Sequence, residues 1–453
     1  MPAAHVLTED DWRRERAYLQ EYRYDLALAA AEEYPAGRRM AGTPLLTRTG
    51  WQPAEPVPLP DIKLELTPAA PADGLGGHGS GSAPGIPPEL GPLPGRPDGT
   101  RYPRYSDALR ALAAPAVFEN RPTYRLTEAQ LTPGASRLAF TRGHYFDGVD
   151  TGEAAAHEFA AARLGGRPAR LRALLADPCD LGRRPVNLAV STLTLRQDGD
   201  RASFLLHWRD PAKVGHAGGM YQVIPVGIFQ PSGPEPWHER QDFSLWRCML
   251  REFDEELRGG SEEYGSGPVD YESWPFARRM TAALGAGQIR VWCLGLGVDP
   301  LTYATDLLTV AVIGSRLFDE LFSLAPRPND EGHVLAAREF AAHVVDRVVR
   351  REPVQAAGAA LLRLAWHHRD TLLDSLPPAA DYLLPASHSR PPRNAVPCTS
   401  PAAQAPPAAT MKGMAGVPET ERSPRGQLVR PWWPGPRGVM GQMSTTVSSR
   451  LTW

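Results

Sequence analysis

The chain has 453 residues, 47 of them Pro and 42 Gly, together about 20% against roughly 12% in average usage. A folded region interrupted by stretches that do not pack is therefore expected, while 11 Trp, 13 Tyr and 12 Phe exclude a wholly disordered chain. A formal net charge of −2 gives no basic field to recruit nucleic acid and argues against direct DNA binding.

Cysteine usage and the N-terminus narrow the compartment. Cys179, Cys248, Cys293 and Cys398 are widely spaced and form no CxxC pair, so neither a zinc site nor a disulfide framework is indicated. The opening MPAAHVLTEDDWRRER lacks the apolar stretch of a signal peptide. No apolar run reaches the length of a membrane span, about 18 residues. The expectation is a cytoplasmic protein with no membrane partner.

In chain order, residues 8–34 read as one amphipathic helix. Thr8 is placed to cap it with Asp11 three residues on, and Trp12, Leu19, Tyr22, Leu26 and Ala30 recur at helical spacing. Residues 42–66 are extended and punctuated by proline, closing an N-terminal segment 1–66. Residues 67–100 hold 8 Pro and 9 Gly and read as a disordered linker. From 101 to 376 the pattern is that of a folded domain. Helices are expected at 106–112 and 153–164, and a strand at 122–131. The apolar runs 186–196 and 202–209 read as a hairpin turning at Asp198-Gly199. A further strand is expected at 220–229, a strong helix at 241–260, strands at 288–298 and 307–314, and helices at 315–324 and 354–376. Strands with helices inserted between them exclude an all-α fold. Residues 377–453 form a tail, with eight basic and two acidic residues from 387 onward and no periodicity; this tail is expected to be disordered. Its PWWPGPRG leaves a protein partner open.

The segment that carries chemistry is Arg251-Glu252-Phe253-Asp254-Glu255-Glu256-Leu257. Glu252, Glu255 and Glu256 fall at i, i+3 and i+4 and so share one helix face. Clustered carboxylates repel one another unless a cation lies among them, and hard divalent ions take oxygen ligands of this kind. The alternative is a solvated face: Phe243, Trp246, Leu250, Phe253 and Leu257 form an apolar stripe, with the glutamates opposite it.

REFDEEL resembles the REUXEE core of the Nudix box, GX5EX7REUXEEXGU with U aliphatic. Upstream, the segment PVGIFQP (225–231) resembles the glycine-bearing turn that opens that box. The stretch 101–376 is also similar to actinobacterial proteins carrying RRPVNLAVSTLTL and AGGMYQVIPVGIFQP, many of them labelled transcriptional regulators of the Xre type, with a DNA-binding module that this chain lacks. The resemblance implies an α+β fold, a Nudix-like mixed β-sheet with helices on its faces. It further implies a hydrolase acting on a nucleoside diphosphate derivative with Mg²⁺ or Mn²⁺. Glu252, Glu255 and Glu256 would be the metal ligands, Glu252 and Arg251 the catalytic pair, and Gly227 a substrate-binding residue. A non-catalytic nucleotide-sensing regulatory domain is the alternative. The pattern departs from the family at Gly233, where the box has a glutamate, and in about ten extra residues before the helix. Arg258 also stands where a glycine is expected. Glu239 and Asp242 are candidates to replace the missing carboxylate, and Asp299 and Asp306 to add a ligand. His144 with Asp147, the Gly218-Gly219 pair and His367-His368 read as structural.

Overall fold

The computed structural model describes residues 7–67, 91–115, 118–210, 218–260, 267–322, 327–328 and 332–374. The expected tail, and the linker from 68 to 90, lie outside the described residues. The fold is α+β.

Its centre is the strand Leu188–Asp198, which runs parallel to Thr305–Gly314; Ile289–Val298 lies antiparallel beyond it. Thr305–Gly314 is apolar on both faces and sorts its side chains by parity. Leu307, Ala311 and Ile313 enter one core, and Leu308, Val310 and Val312 the other. The first core is closed by helices Leu245–Arg258 and Pro275–Gly285, the second by Ala342–Arg351 and Ala356–His367. The sheet is thus the middle of three layers. The hairpin forms as expected, with Leu195 opposite Phe204 and Gly199 at a left-handed φ of 58°.

The free edge of Leu188–Asp198 is shared. Its second half pairs with Arg201–Phe204, while Ala189, Val190 and Ser191 face Ile228, Gly227 and Val226. Two expected strands are each broken in two. The run 202–209 divides into Arg201–Phe204 and His207–Arg209, because Leu205 and Leu206 turn into different cores. The run 220–229 divides into Tyr221–Gln222 and Val226–Ile228 around Pro225, which has no N–H to give a ladder. His207–Arg209 and Tyr221–Gln222 pair in a separate small sheet.

The N-terminal segment is built into this body. Val57–Pro58 extends the main sheet beside Ile289–Val298, and Lys63–Leu66 runs parallel to Arg137–His144. The last ten residues of the expected linker, 91–100, also pack: Gly95 N–H donates to Leu7 O at 2.8 Å, and Leu93 is buried. The single helix expected over 8–34 is two, Glu9–Glu21 and Arg23–Glu32, with Tyr22 at the joint. The Thr8–Asp11 capping box is present. Among the described residues no helix is long and apolar enough to cross a membrane.

Buried charge fastens these first helices. Glu153 accepts Arg16 at 2.6 Å and both terminal nitrogens of Arg23 at 3.0 Å. Beside it, the His157 ring lies 3.0 Å from the Tyr105 hydroxyl and 3.2 Å from Glu15. All six side chains are buried. Gly152, in the π-helical turn Val149–Glu153, is required by close packing: a Cβ there would stand 2.1 Å from Thr302 O.

Removing one partner of a buried ion pair strands the other, at a cost of about 3–5 kcal/mol. Glu153→Ala is therefore expected to lower the unfolding free energy by that order, read from urea melts. Burial holds the His157 imidazole below its ordinary value of 6.5, against the pull of Glu15. The unfolded chain thus binds this proton more readily than the folded one. The His157 contribution is complete above about pH 6.5 and is lost as pH falls below it; His157→Gln should flatten the stability–pH slope in that range.

Candidate functional site

Helix Leu245–Arg258 starts where the Ser244 hydroxyl accepts the Arg247 N–H, and ends at Gly259 in the left-handed region, φ 76°. Its apolar face is Leu245, Cys248, Met249, Leu250, Phe253 and Leu257, all buried. Two charged residues are buried with them, Arg251 at 4% exposure and Glu256 at 6%. The face that carries the glutamates is accordingly not a plain solvated one; a buried charge must be met by protein groups.

Arg251 is met on one side. It donates to the Tyr271 hydroxyl and, at 2.7 Å, to Gln230 O, and lies 3.3 Å from Asp242 Oδ1. Tyr271 donates to the same Asp242 oxygen at 2.7 Å, while Asp242 Oδ2 accepts both the N–H and the hydroxyl of Ser232. Asp242 is fully buried and acts as the partner of Arg251 and the clasp of the loop. Glu239 is turned elsewhere, paired with Arg142 through both oxygens. The extra residues form the short helix Pro236–Gln241. They also explain Gly233: a Cβ there would stand 2.5 Å from the His238 ring, so the position has no room for a glutamate.

The glutamates are met by the strand Val226–Ile228. Glu252 lies flat against Gly227, where an added Cβ would fall 1.9 Å from its carboxyl carbon. Glu256 Oε1 accepts the Val226 N–H at 2.8 Å, and Oε2 is 3.9 Å from Nδ1 of the fully buried His207. Glu255 is half-buried. Burial pushes the Cys248 thiol well above its ordinary range, and the field of Glu252 and Glu255 adds to that; Cys248 is a packing residue. Sequence reasoning had no signal for His207 or Tyr271, since each is placed only by sheet pairing or by a loop.

The other candidates all make protein contacts. Asp299 accepts the Leu301 and Thr302 N–H groups in a turn, and Asp306 accepts the Ser191 hydroxyl at 2.7 Å. Asp147 caps a helix through the His144 N–H, and burial pushes its carboxyl up to about 6. Gly219 turns at φ 79°, and the His367 and His368 rings contact each other at the end of a helix.

A divalent metal needs several open oxygen ligands at one point. Here Glu256 is turned into the strand and Glu252 onto Gly227. Among the described residues no group of three or more His, Cys, Asp or Glu is placed to hold a metal ion. Glu256 thus spends one oxygen on the Val226 N–H, Glu252 rests against Gly227, and Glu255 is half-buried.

The chain matches no family model and no curated protein. Among solved structures it is similar to the crystal structure of a NUDIX hydrolase from Alicyclobacillus acidocaldarius, at 16% identity and a TM-score of 0.26, over 42% of this chain and 96% of that one.

The contact between Gly227 and Glu252 gives a direct test. Gly227→Ala should destabilise the protein by about 1–3 kcal/mol, the usual cost of overpacking. Adding Glu252→Ala should recover most of that loss, because the clash is with that one carboxyl. Chemical denaturation of the four members of the cycle measures the coupling.

Proposed function

We propose that this chain is a divergent Nudix-like regulatory domain that binds a nucleotide-type small molecule without hydrolysing it. The observation that carries this reading is the arrangement of the box helix. Arg251 is closed off by Asp242 and Tyr271, and Glu256 accepts the Val226 N–H. The order of strand, glycine and helix that the motif requires is kept, and Glu256 helps to hold the helix on the strand. In this reading residues 101–376 form the ligand-binding domain, with 1–66 as its N-terminal buttress, and the response passes to a protein partner. A reducing, cytoplasmic setting suits Cys179, Cys248 and Cys293, which are buried free thiols.

Hydrolysis is the second reading, favoured by the retained order of strand, Gly227 loop and glutamate-bearing helix. Purified chain should be taken through a panel of nucleoside diphosphate derivatives, with and without Mg²⁺ or Mn²⁺, following both melting temperature and product. The expected outcome is a saturable rise in melting temperature with at least one compound, unchanged by metal and with no product. Metal-dependent turnover that disappears in both Glu255→Gln and Glu256→Gln would establish the hydrolase instead. No shift with any compound would overturn the sensing role.

A further inference from the structure

Six arginines are buried among the described residues, and five of them are met by the chain. Arg16 and Arg23 are held by Glu153, and Arg251 by Asp242 and Tyr271. Arg172 donates to Leu301 O and Pro300 O, and Arg184 to Pro178 O and the Thr305 hydroxyl. The sixth, Arg125, is 6% exposed. Its Nε is sealed from solvent and meets no acceptor, and among the described residues Arg125 makes no hydrogen bond, ion pair or ring contact. Burial pushes this guanidinium down, with only the field of Asp147 against it. A buried charge left in this way is costly, and an unmet buried polar group calls for an explanation.

The surroundings of Arg125 follow from strand parity. It lies on strand Pro122–Gln130, which pairs antiparallel with Arg137–His144. Tyr124 and Leu126 enter the core that the box helix closes, so Thr123 and Arg125 point to the opposite face. That face is polar. Thr141 stands opposite Arg125 on the next strand, and Thr123 donates to Asn187 Oδ1 at 2.9 Å. Asn187 Nδ2 donates in turn to His144 O and Tyr145 O, and Asp147 Oδ2 accepts the His144 N–H at 2.9 Å. Gly143 brings these groups together: Arg125 Cβ, Thr123 Oγ1 and Asp147 Oδ2 all lie within 3.5 Å of the point where a Cβ on it would stand. The neighbours are engaged with one another and leave the guanidinium out.

We propose that Arg125 holds the carboxylate of a small organic acid. A guanidinium offers two parallel N–H donors that match a planar carboxylate, and such bonds are charge-assisted. One positive charge with Asp147 close by compensates one negative charge and not two, which sets a carboxylate above a phosphate dianion. The inference is independent of the reading of the box helix, which packs on the other face of this strand.

Melting temperature measured against sodium acetate, at constant ionic strength made up with chloride, tests it, with phosphate above its second pKa as the dianionic control. Acetate should give a saturable rise with a Kd of about 1–10 mM, and phosphate should act at least about tenfold more weakly. Arg125→Met, which keeps the length of the side chain and removes the charge, should abolish the response. In acetate-free buffer the same variant should melt at or above the wild-type temperature, because no ion pair within the chain is broken. Arg125→Lys, which keeps the charge and loses the fork, should weaken acetate by about tenfold. Absence of saturation up to about 100 mM acetate, or a response that both variants retain, would overturn the proposal. So would a lowered melting temperature of Arg125→Met without acetate, which would show the arginine to be satisfied by the chain itself.

Discussion

The arrangement of the domain's centre turns on how one buried guanidinium is satisfied. Arg251 sits on the apolar side of its helix, where an unmet charge would cost several kcal/mol. The chain meets it with the Tyr271 hydroxyl, Gln230 O and the Asp242 carboxylate, the last of these held in turn by Ser232. Because Gln230, Ser232 and Asp242 all belong to the segment between the strand Val226–Ile228 and the helix, satisfying Arg251 fixes the path of that loop. The path of the loop sets the register in which the helix meets Gly227. The seat of Glu252 and the reach of Glu256 to Val226 follow from it.

The same physical rule recurs at the other end of the molecule. Arg16 and Arg23 are both buried against Glu153, and this joins the first two helices to the helix Ala154–Gly165. Ionic clasps therefore position helices, while the central sheet rests on apolar parity with a few buried hydroxyl bonds such as Ser191 to Asp306 and Thr192 to Thr309. Hydrophobic burial supplies the bulk of stability without direction, and the paired charges supply registry.

Much of the central sheet was legible in the sequence, for a physical reason. Buried strands such as 188–198 and 305–314 carry apolar-rich runs, and the hairpin from Leu188–Asp198 to Arg201–Phe204 is marked by Asp198-Gly199. The amphipathic helix Leu245–Arg258 and the Thr8–Asp11 cap are equally local signals. What could not be read depends on contacts far apart in the chain. The strand Arg137–His144 is shaped by its partners more than by its own pattern, whereas helix Ala342–Arg351 carries a plain amphipathic stripe of Val344, Val345 and Val348 that the sequence analysis passed over. The packing of 91–100 rests on a hydrogen bond to Leu7 that no composition reveals. At the site, residue identities and spacing pointed to Arg251, Glu252, Glu255, Glu256 and Gly227; Glu252 lies against Gly227, and Glu256 accepts the neighbouring Val226 N–H. The spacing could not tell whether the carboxylates would open to a metal or turn to the backbone, because that choice is made by Val226, His207 and the loop clasped on Asp242.

Titration of the metal-free chain with Mn²⁺, read from the loss of the free-ion electron paramagnetic resonance signal, tests this account most directly. If the box glutamates are committed to the strand and the loop, wild type and the Glu255→Gln, Glu256→Gln double variant should take up Mn²⁺ equally weakly and without a defined stoichiometry. Stoichiometric binding by the wild type that is lost in the double variant would show the carboxylates open to a metal and would contradict it.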